Sequence, residues 1–179
     1  MCGIAGVLGH PDANMLHRMN RLQNHRGPDE NDVYIGEQVG FAHARLSIVD
    51  LRSSQQPMTG VEGDVLVLNG EIYNHQDLRD KQLSYPFKTT GDTESILATH
   101  QAAKRRQKTT LSAKDHAAWL ANVDGMYALA LWDPHSNELI LARDPMGIKP
   151  LNRTMVNGSL LFASEVKAFH AHEDYQPQI

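Results

Sequence analysis

The sequence predicts an α+β fold, mainly antiparallel sheet with helices segregated from it. Two observations carry this. In the last third, "MYALALWD" is followed by "NELILARD", and residues 151–155 by 159–163; the members of each pair are joined by turn clusters, Asp133-Pro134-His135-Ser136-Asn137 and Val156-Asn157-Gly158. Helical periodicity is confined to stretches before these runs. No internal repeat, low-complexity segment or linker interrupts the chain, so residues 1–179 read as a single domain.

Residues 2 to 8, with Ile4, Ala5, Val7 and Leu8, read as a buried strand. Residues 12–23 read as a helix with Met15, Leu16, Met19 and Leu22 on one stripe, and His25-Arg26-Gly27-Pro28-Asp29 then turns the chain. Strands are expected at 32–36, at 39–44 and at Val65-Leu66-Val67-Leu68, the last with "NGEIYN" at its end. Helices are expected at 74–83 and 93–106, with Asn74 and Asp92 as N-caps whose side chains accept orphan N–H groups, and a shorter one at 113–120.

With 17 Lys+Arg against 21 Asp+Glu and 41% hydrophobic residues, the composition is that of an ordinary globular protein and gives no sign of a nucleic-acid partner. The basic cluster Lys104-Arg105-Arg106-Gln107-Lys108 closes a helix, where cations meet the negative end of the dipole. No apolar run approaches the roughly 20 residues that cross a membrane. The N-terminus lacks the positive region of a secretory signal, and its apolar stretch stops at Gly9-His10-Pro11. A lone cysteine without an export signal fits a reducing compartment, and a cytoplasmic location is expected.

That cysteine is Cys2. Removal of Met1 would place a thiol and a free α-amine on one residue. The thiol is a strong nucleophile once deprotonated, and an α-amine, with a reference pKa of about 7.7–8.0, serves as a base near neutral pH. A nucleophilic side chain paired with its own terminal amine is an established form of nucleophile-plus-base catalysis.

In order along the chain stand "MCGIAG", "HRGPD", "RLSIVD", "NGEIYN", "GDTE", "RDPMGIKPL" and "FASEVKA". Together they resemble the N-terminal-nucleophile glutaminase domain of class II glutamine amidotransferases, most closely that of glutamine-hydrolysing asparagine synthetases. The resemblance implies a four-layer αββα sandwich and hydrolysis of the glutamine side-chain amide to glutamate and ammonia through a thioester on Cys2. It matches Arg45 to the arginine that clamps the substrate α-carboxylate, a task suited to a guanidinium fork, with backbone groups of Ile48 and Val49 helping to orient it. Asp92 and Glu71 match residues at the α-amino end. The Asn69 amide and the Gly70 N–H match two donors to the oxyanion. Arg26 matches an arginine near the nucleophile and is expected to support rather than react.

His43 is expected to pack rather than act as a base. His170, His172, Glu173 and Asp174 form too weak a pattern for a metal site, so no metal is expected. Where the family usually continues "KPLYY", this chain has Asn152-Arg153 after Leu151. The chain has no SGG-x-D-S or GxxxxGK[ST] phosphate loop. The domain is therefore expected to need no cofactor, with ATP and magnesium on a separate synthetase domain or subunit that takes the ammonia. Leu139, Leu141, Leu151, Leu160 and Phe162 exceed what one sheet face needs, which predicts an exposed apolar patch for that partner or for self-association. The alternative function is a non-catalytic glutamine-binding or regulatory module, should Met1 be retained.

Overall fold

The computed structural model describes residues 1–46, 55–107 and 110–177. In chain order its elements are β1 (Gly3–Leu8), α1 (Ala13–Gln23), β2 (Glu30–Ile35), β3 (Val39–Arg45), β4 (Met58–Thr59), β5 (Val65–Ile72), α2 (His75–Asp80), α3 (Thr93–Gln107), α4 (Ala113–Leu120), β6 (Gly125–Asp133), β7 (Glu138–Arg143), β8 (Asn152–Val156) and β9 (Ser159–Ala163). Short 3-10 turns lie at Asn24–Arg26 and Val166–Ala171. The strands form two antiparallel sheets, ordered β2-β3-β1-β9-β8 and β4-β5-β6-β7.

Side chains alternate across a strand, so each sheet presents two faces. Ile4, Val39, Phe41 and Phe162 of the first sheet meet Val65, Val67, Ala128, Ala130 and Trp132 of the second. The opposite face of the first sheet, with Ala5, Val7, Ala42 and Leu161, packs on Met15, Leu16 and Met19 of α1 and on Phe169. The outer face of the second, with Leu66, Leu68, Leu129 and Leu131, packs under Ile96 and Leu97 of α3 and Trp119 of α4. Three apolar layers thus separate four structural layers, helix, sheet, sheet, helix, as expected.

The two late hairpins belong to different sheets, and this overturns the expected patch. The β6–β7 hairpin lies in the second sheet and the β8–β9 hairpin in the first. Phe162 is fully buried, and Leu139, Leu141 and Leu151 pack against the layer between the sheets. The five residues are thus divided between two sheets: Phe162 is buried, Leu139, Leu141 and Leu151 are partly buried against the shared layer, and Leu160 is half-buried outside it.

Helix starts follow local chemistry. Asp12 caps α1 by accepting the Met15 N–H at 2.7 Å, and Ser112 and Asp115 form a reciprocal capping box on α4. Asn74 behaves differently from expectation: its side chain leaves α2 and binds the Asn122 carbonyl and the Asp124 N–H, tying α2 to the start of β6. Helix α1 also turns Asn20 and Gln23 inward and leaves Leu22 36% exposed. Both amides have partners to satisfy there: Asn20 donates to the carbonyls of Asp32 and His43, and Gln23 to that of Ile4.

In the middle of β1, a Cβ on Gly6 would stand 2.3 Å from the Phe162 ring and 2.6 Å from the Gly40 carbonyl oxygen. The ring cannot easily yield, because it packs edge-on against Phe41 with centroids 5.6 Å apart. Gly6→Ala should therefore lower unfolding free energy by about 1–3 kcal/mol, the usual penalty of overpacking, as read by urea denaturation. Unchanged stability would contradict this packing.

Candidate active site

The face that is apolar between the sheets becomes polar at one end. Cys2 lies two residues before Ile4 on that face, His43 and Arg45 continue the row of Val39 and Phe41, and Asn69 and Glu71 continue that of Val65 and Val67. With Asp92 and Thr93 at the start of α3, these side chains line one cleft of ≈ 220 Å³. Cys2, Arg45, Asn69, Gly70, Glu71 and Asp92, spread over ninety residues of sequence, meet there. Ile48 and Val49 lie outside the described residues.

Cys2 is held by its backbone. Arg26 donates from Nε to the Cys2 carbonyl at 3.0 Å and from Nη1 to Glu165 at 3.0 Å. Ile4 donates to Ser164 Oγ at 3.0 Å, and the Ser164 N–H returns to the Ile4 carbonyl. Arg26 thus links the Cys2 backbone to Glu165. Burial alone would raise the Glu165 carboxyl, but hydrogen bonds from Arg26, Lys167 and His25 outweigh it and hold it down at about 2. The thiol sits against the Leu46 backbone, 3.5 Å from its nitrogen and 3.8 Å from its oxygen.

The glycine of "HRGPD" has a steric cause: a Cβ on Gly27 would stand 2.2 Å from the Ala44 carbonyl oxygen. Gly70 is more constrained still. It lies inside β5 rather than past its end, with φ of 154°, and a Cβ there would stand 2.1 Å from the Met126 oxygen of the neighbouring strand. Beside it, the Asn69 Nδ2 donor is buried without a hydrogen-bond partner. An unsatisfied buried donor costs about 1–3 kcal/mol unless something accepts from it.

Arg45 is buried and donates from Nη1 to Glu30 at 2.8 Å. Asp92 differs from its expected cap role: its carboxylate accepts the Ile72 N–H at 2.9 Å, and only its backbone carbonyl serves the first turn of α3. The side chain therefore fastens α3 to the end of β5. Glu71 is exposed at the cleft mouth.

Gln56, Lys149 and His43 also line the cleft and were not among the expected site residues. Gln56 accepts the Leu68 N–H at 2.6 Å and donates to Thr93 at 3.3 Å, joining β5 to α3. Lys149 lies inside "RDPMGIKPL", a motif that does not itself reveal that the lysine turns inward. His43 packs, as expected, yet also borders the cleft. It is 1% exposed, and neither ring nitrogen has a partner of normal hydrogen-bond geometry. Burial, with Arg45 adding to it and the Leu68 backbone opposing, pushes its pKa down to about 4. In the tail, His172 and Asp174 lie 4.0 Å apart, and no three His, Cys, Asp or Glu groups among the described residues have metal-holding geometry.

The His43 shift has a stability consequence. Between its unfolded value of 6.5 and about 4 in the fold, the unfolded chain binds a proton that the folded chain does not. Stability from this group is therefore intact above pH 6.5 and falls on acidification, by up to about 1.4 kcal/mol per pH unit. Urea titrations should show a flatter dependence over that window for His43→Leu than for wild type. Equal slopes would mean that the histidine is solvated.

A family profile described as "Glutamine amidotransferase domain" matches residues 1–179. Asparagine synthetase [glutamine-hydrolyzing] 2 of Bacillus subtilis is 36% identical over 180 residues, covering 96% of this chain and 22% of that protein. Asparagine synthetase B of Escherichia coli is 38% identical over 176 residues, covering 94% of this chain and 30% of its own length. The chain thus spans less than a third of these relatives. Among solved structures, the glutamine phosphoribosylpyrophosphate amidotransferase of B. subtilis superposes with a TM-score of 0.72 at 20% identity, covering 95% of this chain and 43% of that one. A second, described as the allosteric regulatory enzyme of purine biosynthesis, gives 0.75 at 22% identity with the same coverage. Both are likenesses of fold.

Proposed function

The chain belongs to the glutamine amidotransferase domain family, and from that premise we propose that it hydrolyses the side-chain amide of L-glutamine with Cys2 as nucleophile. The observation that carries this reading is the meeting of Cys2, Arg45, Asp92 and Asn69 in one cleft. Glutamine offers a zwitterionic head and a neutral amide tail. Arg45 takes the α-carboxylate, and Asp92 and Glu71 take the α-ammonium, which fixes the tail over the thiol. The free α-amine of Cys2 takes the thiol proton, and attack by the resulting thiolate forms a carbon–sulfur bond and moves the carbonyl electron pair onto oxygen. The unpartnered Asn69 donor and the Gly70 N–H stabilise that oxyanion. Its collapse expels the amide nitrogen, which leaves as ammonia after taking a proton from the Cys2 α-ammonium. Water then cleaves the thioester to glutamate and regenerates the thiol.

The base in this scheme exists only when Met1 has been removed. Met1 borders the cleft, and while it is attached the Cys2 nitrogen is an amide without basicity. A chain that keeps Met1 would bind glutamine without turning it over, the second reading. The relatives named asparagine synthetases suggest the destination of the ammonia: an acceptor site on a synthetase domain or subunit, which would also carry ATP and magnesium. Self-association is the alternative partner. The unpaired cysteine favours a cytoplasmic setting, and no helix among the described residues is long and apolar enough to cross a membrane.

Steady-state assays on Met1-free protein test the roles separately. Cys2→Ala should abolish glutamine hydrolysis while remaining folded; equal rates would end the assignment. Arg45→Ala should act mainly on KM, by roughly 30-fold or more, as truncating one partner of a buried charge pair does. Asn69→Ala should lower kcat by about 10²–10³ with KM little changed, and an effect confined to KM would remove its oxyanion role.

A further inference from the structure

We propose that Lys149 is a further catalytic residue of this site, a cation that stabilises the negative charge on the reacting amide oxygen. The proposal rests on the glutaminase reading. Lys149 is 6% exposed and lines the same cleft as Cys2 and Asn69, and among the described residues its ammonium makes no hydrogen bond or ion pair. The stem of the side chain is enclosed while its ammonium faces the cleft rather than a protein anion, an arrangement rare for a lysine so little exposed.

The backbone is fixed so that this side chain points inward. The Asp144 carboxylate accepts the N–H groups of Ile148 at 2.9 Å and Lys149 at 3.0 Å. The Arg143 guanidinium donates to the Lys149 carbonyl at 2.6 Å and to that of Gly147. Gly147 supplies the turn with φ of 63°. Met146 and Ile148 are left 83% and 58% exposed while Lys149 is enclosed. A loop bolted at both its N–H and C=O groups holds a charged tip with little reorganisation, the condition for electrostatic stabilisation.

Topology and charge accounting select the role. Arg45 ends β3 on one side of β1, whereas the loop of Lys149 runs from β7 to β8, beyond β9 on the other side. The two cations therefore flank the nucleophile. Arg45 is engaged with Glu30 and is assigned to the substrate carboxylate, whereas Lys149 has no ion pair with the protein and is available to the charge that develops on the amide oxygen. Asn69 and Gly70 offer it neutral donors, and Lys149 offers a full charge.

Kinetics of glutamine hydrolysis by Met1-free wild type, Lys149→Met and Lys149→Arg test this, with thermal unfolding alongside. Lys149→Met should lower kcat by about 10- to 100-fold with KM within about twofold, and Lys149→Arg should retain most of the rate. An aldehyde analogue of glutamine, which forms a tetrahedral adduct with the thiol, should bind Lys149→Met more weakly by the same factor as kcat/KM. The Tm of Lys149→Met should be unchanged or higher, because the substitution removes no hydrogen bond or ion pair of the ammonium and keeps the apolar stem. Unchanged kcat, a rise in KM alone, or a rate loss equal in the arginine variant would overturn the role of Lys149 while leaving the glutaminase intact. Absence of hydrolysis by wild type would overturn both.

Discussion

The structure depends on one constraint: the strand that begins directly after Cys2 is the central strand of its sheet. Strand β1 pairs with β3 along its whole length and with β9 over Ala5 to Leu8. A chain terminus is ordinarily free to fray. Here the ladders, the Ser164 exchange with Ile4 and the Arg26 brace on the Cys2 carbonyl fix it from three directions. The second sheet then packs on the same face, and period-two alternation brings Asn69 and Glu71 of β5 opposite Cys2 and Arg45. The site is the polar end of an apolar layer, so its geometry is set by the packing of Phe41, Phe162 and Trp132 farther along.

Much of this was legible in the sequence because the signals are local. Turn clusters marked both late hairpins, and the helical stripe beginning at Asp12 marked α1. What was not legible depends on partners distant in sequence. Nothing between residues 125 and 163 says that two consecutive hairpins enter opposite sheets, so their leucines looked surplus. Asp92 carries a cap residue's chemistry, but the Ile72 N–H that captures its carboxylate lies 20 residues away. Leu22 fits the helical stripe, yet Asn20 and Gln23 face inward because carbonyls of other elements need donors there.

The polar groups of the site divide into those the fold satisfies and those it leaves waiting. Arg26, Glu165, Asp144, Gln56 and Asp92 are engaged with backbone or with one another and hold the frame. Asn69 Nδ2 and the Lys149 ammonium have no partner among the described residues, and both line the cleft that contains the thiol. Donors left unpaired in a rigid, partly dry site are poorly matched to a neutral amide and well matched to charge that appears in a transition state. His43 belongs to neither group; burial keeps it neutral above about pH 4, which makes it packing material at the edge of a charged site.

The central claim is that Cys2 becomes the nucleophile only when its own amine is free. Intact-mass spectrometry after reaction with a glutamine-like electrophile tests it most directly, using chains with and without Met1 in parallel. The account predicts a single adduct, mapped to Cys2, forming rapidly on the Met1-free chain and at least tenfold more slowly on the chain that keeps Met1. Equal rates on both chains, or an adduct at any other residue, would contradict it.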